Sequence, residues 1–362
     1  MPGRKQSNTT RLIIIAILTV ALLYLFFRNA NFEGVADVIA SVDPLWLAIA
    51  LLINATALVL RTMRWRIIVR PTDPPPFSDT FFANSIGFMS SAILPVRAGD
   101  LVRSALLRKR TGIRFSSALG TVVTERLLDL LSIVSLFLVF VAVTLWSGPD
   151  LDPPKDSFIR TTGLIALLLF AGLSFVIISA TMFQPTVRRH IALIGKILPV
   201  RLRDSLQNMA ESFITSLRFQ GTRSQLVKII ALTAGVWLCL TTQFYFVMLA
   251  VGSPLPVVAS FFMTAMTVIG FAIPTPGGVG GFHKICQLVL VNFYGFTVDA
   301  SVAIALVYHV VGTLPVILSG LTMFAREGLS WKLLERIERE AEEETDDAMT
   351  PEVHSDEVKP VV

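Results

Sequence analysis

Six long apolar runs decide what this chain can become: residues 12–27, 45–60, 115–145, 161–183, 226–251 and 301–324. An α-helix needs roughly 20 mostly apolar residues to cross about 30 Å of hydrocarbon. No water reaches a peptide group there, so each run must satisfy its own backbone, and a helix does so. With 53% hydrophobic residues, 16% charged residues and a mean hydropathy of +0.68, a water-soluble globule is excluded. The expected fold class is an all-α polytopic membrane protein. The first run follows Arg4, Lys5 and Arg11, and no small-residue cleavage site comes after it, so it reads as an uncleaved anchor.

Two further segments fit the spanning pattern badly. Residues 81–94 are short and carry Asn84, Ser85, Gly87, Ser90 and Ser91, while residues 257–293 are long and interrupted by "PTPGGVGG". Lysine and arginine beside span ends mark the cytoplasmic face. They crowd behind residue 60 (Arg61, Arg64, Arg66, Arg70), behind residue 94 (Arg97, Arg103, Arg108, Lys109, Arg110, Arg114) and through 184–228. The acidic "SGPDLDPPKD" and the uncharged "GSPLP" suit the outside. A segment flanked by the same face on both sides must turn back, so 81–94 reads as a hairpin from the cytoplasm and 257–293 as one from outside.

The order span, span, hairpin, span then occurs twice in opposite orientation. This gives six full spans plus two re-entrant hairpins, or eight spans if both broken segments cross. Inverted repeats with broken helices near the midplane are a transporter architecture, and paired Gly/Pro-interrupted segments point to the binding site. The halves are expected at 11–147 and 160–325, inside a membrane domain of residues 1–337. Residues 338–362 hold ten of the 26 acids and two of the 31 bases, which reads as an acidic, largely disordered cytoplasmic tail. Residues 184–228 are expected to lie as amphipathic helix on the membrane surface.

The polar residues inside apolar sequence carry the chemistry. In "LPVRAGDLVRSALLRKR", Pro95 and Gly99 punctuate and Asp100 is placed to cap a helix. Arg97 and Arg103 offer planar forks of donors suited to phosphate oxygens, beside a helix N-terminus that also favours anions. The alternative is positive-inside charge against lipid headgroups, which is preferred for Arg108, Lys109 and Arg110. "TERLLDLLS" buries Glu125, Arg126 and Asp129 in an apolar helix, at about 2.5–3.5 kcal/mol each if unpartnered. Arg126 and Asp129 are spaced to pair along the helix. Two readings stand: a closed structural ion pair, or a cavity lining with a carboxylate free for a cationic headgroup or a proton. Arg61, Arg64 and Trp65 suit an interfacial anchor that can also hold phosphate. Pro276, Gly277, Gly278 and Gly280 form the second break; His283 follows it and His309 lies in the last run.

Histidines 190, 283, 309 and 354 are scattered, with no metal-ligand spacing, and the glycine run lacks the lysine of a nucleotide loop. No metal, cofactor or enzymatic activity is expected. Cys239 and Cys286 read as free thiols in apolar surroundings.

Taken together, Arg61, Arg64 and Trp65, "NSIGFMSSAILPVRAGDLVR", "ERLLD" and "PTPGGVGGFH" resemble the flippase-like membrane region of the lysylphosphatidylglycerol synthetases, the multiple peptide resistance factor family, over about residues 10–325. The resemblance implies movement of a phospholipid or a lipid-linked precursor between leaflets. It implies a substrate site among Arg61, Arg64, Arg97, Asp100, Arg103, Glu125, Arg126, Asp129, Pro276, Gly277, Gly278, Gly280 and His283. Two departures accompany it: the family usually has glutamate where His283 stands, and no soluble aminoacyl-transferase domain follows the last span, so this chain is not expected to make lysyl-lipid itself. The partners expected are membrane lipids, an envelope-lipid synthase and further copies of the chain, with no nucleic acid. The location expected is the cell membrane, with both termini cytoplasmic. The alternatives are an accessory or scaffold subunit of an envelope-lipid synthase and a lipid headgroup transferase.

Overall fold

The computed structural model describes residues 2–70, 73–93, 99–147, 153–183 and 222–330, with isolated positions in 185–193 and 334–340. Arg97, most of 184–221 and nearly all of the acidic tail lie outside the described residues. Eleven α-helices and no strand occur among those described. They are α1 (Pro2–Phe27), α2 (Phe32–Ala40), α3 (Pro44–Val69), α4 (Phe77–Ile93), α5 (Gly99–Thr111), α6 (Phe115–Ser147), α7 (Pro153–Met182), α8 (Arg223–Ala250), α9 (Val257–Ala272), α10 (Gly281–Tyr294) and α11 (Val298–Arg326).

Local chemistry sets several boundaries. The Asp43 carboxylate accepts from the Leu45 N–H at 2.7 Å, and Pro44 opens α3 where no donor is needed. At α8, Thr222 and Gln225 cap each other's backbone N–H reciprocally. Five helices, α3, α6, α7, α8 and α11, are long and apolar enough to cross a bilayer, and α1 with α2 makes a sixth if that pair is counted as one bent by 83°. All six apolar runs of the sequence therefore fall on these elements. The short α2 was not foreseen. It is tied down by Asp299 of α11, whose carboxylate accepts from the Asn31 N–H at 2.8 Å.

The two badly fitting segments each fold into an antiparallel pair of short helices. In the first, α4 has 17 residues and α5 has 13. Gly99 abuts Gly87 and Ser91, Arg103 reaches Asn84, and Arg110 reaches Asp79, so residue numbers rise on one arm as they fall on the other. In the second, of 16 and 14 residues, Gly270 abuts Gly281, and the rings of Phe262 and Phe293 lie 4.9 Å apart. The first hairpin is larger than the sequence reading had it, because its returning arm is the basic stretch 99–111 that looked like a cytoplasmic flank.

Each hairpin owes its closeness to a glycine pair. A Cβ on Gly270 would sit 2.8 Å from the Gly281 oxygen and from the Phe282 Cα, tighter than any side chain allows. The hairpins also pack across the chain: α4 lies against α11, where Gly320 admits Met89, and α9 lies against α6, where Phe262 stacks on Phe140 at 4.4 Å. Between them α3 and α8 run antiparallel, joined by Asn54 donating to Gln243 at 2.7 Å. The second break touches the end of α4. Gly277, with φ of 56°, opens the turn Pro276–Gly278, and a Cβ there would meet the Ala92 carbonyl oxygen, near the end of α4, at 2.6 Å.

Gly270→Ala should therefore lower stability in detergent by about 1–3 kcal/mol, the usual range for overpacking, measured by thermal unfolding. Gly172→Ala, in open surroundings on α7, should leave the transition unchanged or raise it slightly.

Candidate functional site

The hairpin lays α4 against α3 and its returning arm α5 against α6, and this brings arginines from two helices onto carboxylates of a third. Arg64 of α3 places Nη1 2.7 Å from Asp129 Oδ1 and Nη2 3.3 Å from Glu125 Oε1. Arg103 of α5 places Nη1 2.7 Å from the other Glu125 oxygen. Its Nε lies 3.0 Å from Asp100 Oδ1, within ion-pair reach but off hydrogen-bond geometry. Asp100 in turn accepts a fork of bonds from Arg126 at 2.8 to 3.2 Å. Arg126 Nη1 comes back to Asp129 at 3.8 Å, which closes the loop.

Three arginines and three carboxylates thus alternate around one ring. Alternation is what low polarity demands, since a charge buried without its opposite is far costlier than a pair. Neutral partners complete it: Trp237 Nε1 donates to Asp129 at 3.2 Å, while Asn84 Oδ1 accepts from Arg103 at 3.0 Å. The Arg103 guanidinium lies 4.7 Å above the Trp65 ring, a cation–π contact, and Trp65 is itself fixed by donating to Thr121. Exposure grades along the ring, from 1–3% at Arg103, Arg64 and Glu125 to 32% at Asp100 and 52% at Arg126. One side is dry and the other opens outward.

Several expectations change here. Asp100 stands in the first turn of α5 and serves as an ion-pair bridge rather than a cap. The pairing of Arg126 with Asp129 along the helix is loose, and the tight partner of Arg126 is Asp100. Neither Glu125 nor Asp129 is left as a free carboxylate. Arg110 does not point to headgroups alone: it bridges Asp79 and Glu327 and covers the Phe82 ring at 3.9 Å.

Arg61 behaves differently from its neighbours. It is partly buried, sits with its guanidinium 5.4 Å over the Phe88 ring that Arg103 shares, and makes no ion pair among the described residues.

His283 stands apart from this ring. Its Nδ1 accepts from the Gly280 N–H at 3.3 Å, the capping-box duty usually given to Glu or Gln at that helical position. Its ring packs on His309 at 4.5 Å and on Phe26 at 5.2 Å. Pro276, Gly277 and Gly278 shape the break that meets α4, and Gly280 lies against Leu22 of α1. The contributions of Asn84, Thr233 and Trp237 were missed, because neutral polar side chains at apolar positions give no charge signal.

Fold and cluster define a class: a polytopic α-helical membrane protein with two short helical hairpins and an arginine–carboxylate ring between helices. The chain belongs to the family described as the lysylphosphatidylglycerol synthase TM region, whose sequence model matches residues 11–320. It is 26% identical over 348 residues to a protein named Glycosyltransferase AglD from Haloferax volcanii, covering 86% of this chain. The chain spans 54%, about half, of that relative's length. It is also 23% identical over 316 residues to a UPF0104 membrane protein of Methanothermobacter thermautotrophicus, with 83% of this chain and 90% of the relative covered. A UPF0104 membrane protein of Methanocaldococcus jannaschii, MJ1078, is 23% identical over 239 residues, with 65% and 92% covered. The AglD match overturns one expectation. The scattered histidines were read as excluding an enzyme, yet a relative over most of this chain bears an enzyme's name, so that exclusion is withdrawn.

Glu125→Gln leaves Arg64 and Arg103 sharing one neutral amide. Unfolding in detergent should show a loss of about 3–5 kcal/mol, as for breaking a buried pair. Arg126→Gln, at the exposed end, should cost no more than about 1 kcal/mol.

Proposed function

We propose that this protein moves a phospholipid or a lipid-linked precursor between membrane leaflets, with the lipid phosphate engaged at Arg61 beside the arginine–carboxylate ring. The observation that carries this reading is a charge count. Arg64, Arg103 and Arg126 are matched by Asp100, Glu125 and Asp129, so Arg61 is the cation left over, and a phosphodiester brings one negative charge. The graded exposure of the ring supplies a wet side from which a headgroup can approach. Acyl chains need no protein, since they remain in hydrocarbon while only the polar headgroup must be sheltered.

The packing also fits an inverted repeat. Each hairpin rests on the long helix that ends the other half, and Gly277 meets Ala92 at the end of α4. With the charge rule, this supports a reading in which the first hairpin enters from the cytoplasm and the second from outside, both re-entrant. The same rule puts both termini in the cytoplasm of a cell-membrane protein. A lipid-synthesising partner would supply the substrate, and self-association is compatible with the exposed apolar helix α7. A second reading is favoured by the AglD name: the membrane region would serve a glycosyl transfer on a lipid-linked substrate, holding its phosphate at the same arginine.

The test uses vesicles holding the purified chain, fluorescent phosphatidylglycerol and a quencher confined to the outer face. Arg61→Gln should slow the loss of protected fluorescence about tenfold or more, the worth of one charge-assisted hydrogen bond, with unchanged thermal unfolding. Equal rates in both proteins would remove Arg61 from the path. A covalently altered lipid, detected by mass spectrometry with a nucleotide sugar present, would favour the transferase reading.

A further inference from the structure

A groove of about 480 Å³ opens between the ends of α3 and α8. From α3 come Met63, Arg66 and Ile67, and from α8 come Lys228, Ala231 and Leu232. Both sets are spaced i, i+3, i+4, so each is one continuous helical face. Because α3 and α8 run antiparallel, with Asn54 beside Gln243 and Arg64 beside Thr233, both cations stand toward the basic ends of the helices, Lys228 about one turn nearer the end than Arg66. Met63 and Leu232 lie one turn deeper. Pro74 closes the shallow side, and Arg66 is steadied there by donating its Nε to the Pro75 carbonyl at 2.7 Å. Neither Arg66 nor Lys228 has an ion-pair partner among the described residues.

We propose that this groove binds one anionic glycerophospholipid of the basic, cytoplasmic-side leaflet. Its polarity matches such a lipid end to end: two cations without an ion pair among the described residues for the phosphate, and an apolar floor below for the first methylenes of the acyl chains. A zwitterionic lipid carries its own cation and gains less from the pair. The site also adjoins the ring described above, since Leu232 precedes Thr233, whose hydroxyl lies 3.5 Å from Arg64 Nη1, and Met63 precedes Arg64 itself. Resting on the translocation reading, the groove is where a lipid waits before its headgroup reaches Arg61. Occupancy itself does not require transport.

Photolabelling in vesicles tests it. The full chain is reconstituted in phosphatidylcholine vesicles doped with a diazirine-bearing phosphatidylglycerol, and in parallel with a diazirine-bearing phosphatidylcholine, and labelled peptides are mapped. Label from the phosphatidylglycerol probe should concentrate on residues 63–67 and 228–232. It should fall on the order of tenfold in the Arg66→Gln, Lys228→Gln double variant, the effect of two surface cations on an anionic lipid. Leu232→Trp, which fills the floor and keeps both charges, should reduce it as well and serves if the double variant fails to fold. Equal labelling by the two probes, or unchanged labelling in a folded variant, overturns the proposal. Labelling as expected in a chain that moves no lipid would keep the binding site and remove the translocation reading; transport without it would do the reverse.

Discussion

A charge taken out of water must meet its opposite, and here that requirement ties together three separate parts of the chain. Arg64, Arg103 and Arg126 come from α3, α5 and α6: Arg64 meets Glu125 and Asp129 where α3 lies against α6, while Arg103 reaches Glu125 and Arg126 reaches Asp100 only when the first hairpin is seated against α6. The hairpin is too short to be fixed by spanning the bilayer, so its position rests on these pairs and on the glycine contact that brings α4 to α5. Buried ion pairs are a poor source of net stability but a strong source of geometry, because a misplaced partner leaves a bare charge.

The same economy of shape explains the breaks. Helices of 13 to 17 residues can pack to depth in a membrane protein only if their open ends meet other protein. The second break covers the end of α4 where Gly277 approaches Ala92. The second hairpin is held by rings, Phe262 on Phe140 and Phe293, whereas the first is held by charges. One half of the structure is therefore an apolar bearing and the other a polar one.

The spans were legible because their signal is a sum over some twenty residues, which no single position can spoil. The second hairpin was legible for the same kind of reason, with its punctuation concentrated in eight positions. The returning arm of the first was hidden by its own arginines. Counting charges assigns Arg103 and Arg110 to the cytoplasmic face, but their carboxylates lie on α6, on α4 and after α11, and sequence distance does not show that. Likewise Arg126 looked paired to a residue three positions away, while its tight partner is 26 positions back. His283 stood out because it follows the break, yet its nearest task is to cap the helix that begins there. Asn84 marked its segment only as a poor span, and Trp237 carried no mark, until the fold set them beside Arg103 and Asp129.

The claim at the centre of this account is that Arg103 and Glu125 clamp the first hairpin to α6. A double-mutant cycle with Arg103→Met and Glu125→Met, read by reversible unfolding in mixed micelles, measures that clamp directly. The account predicts a coupling on the order of 2 kcal/mol, with the double variant far less damaged than the two single losses summed. Losses that add to within about 0.5 kcal/mol would contradict it, because the two side chains would then not be acting on each other.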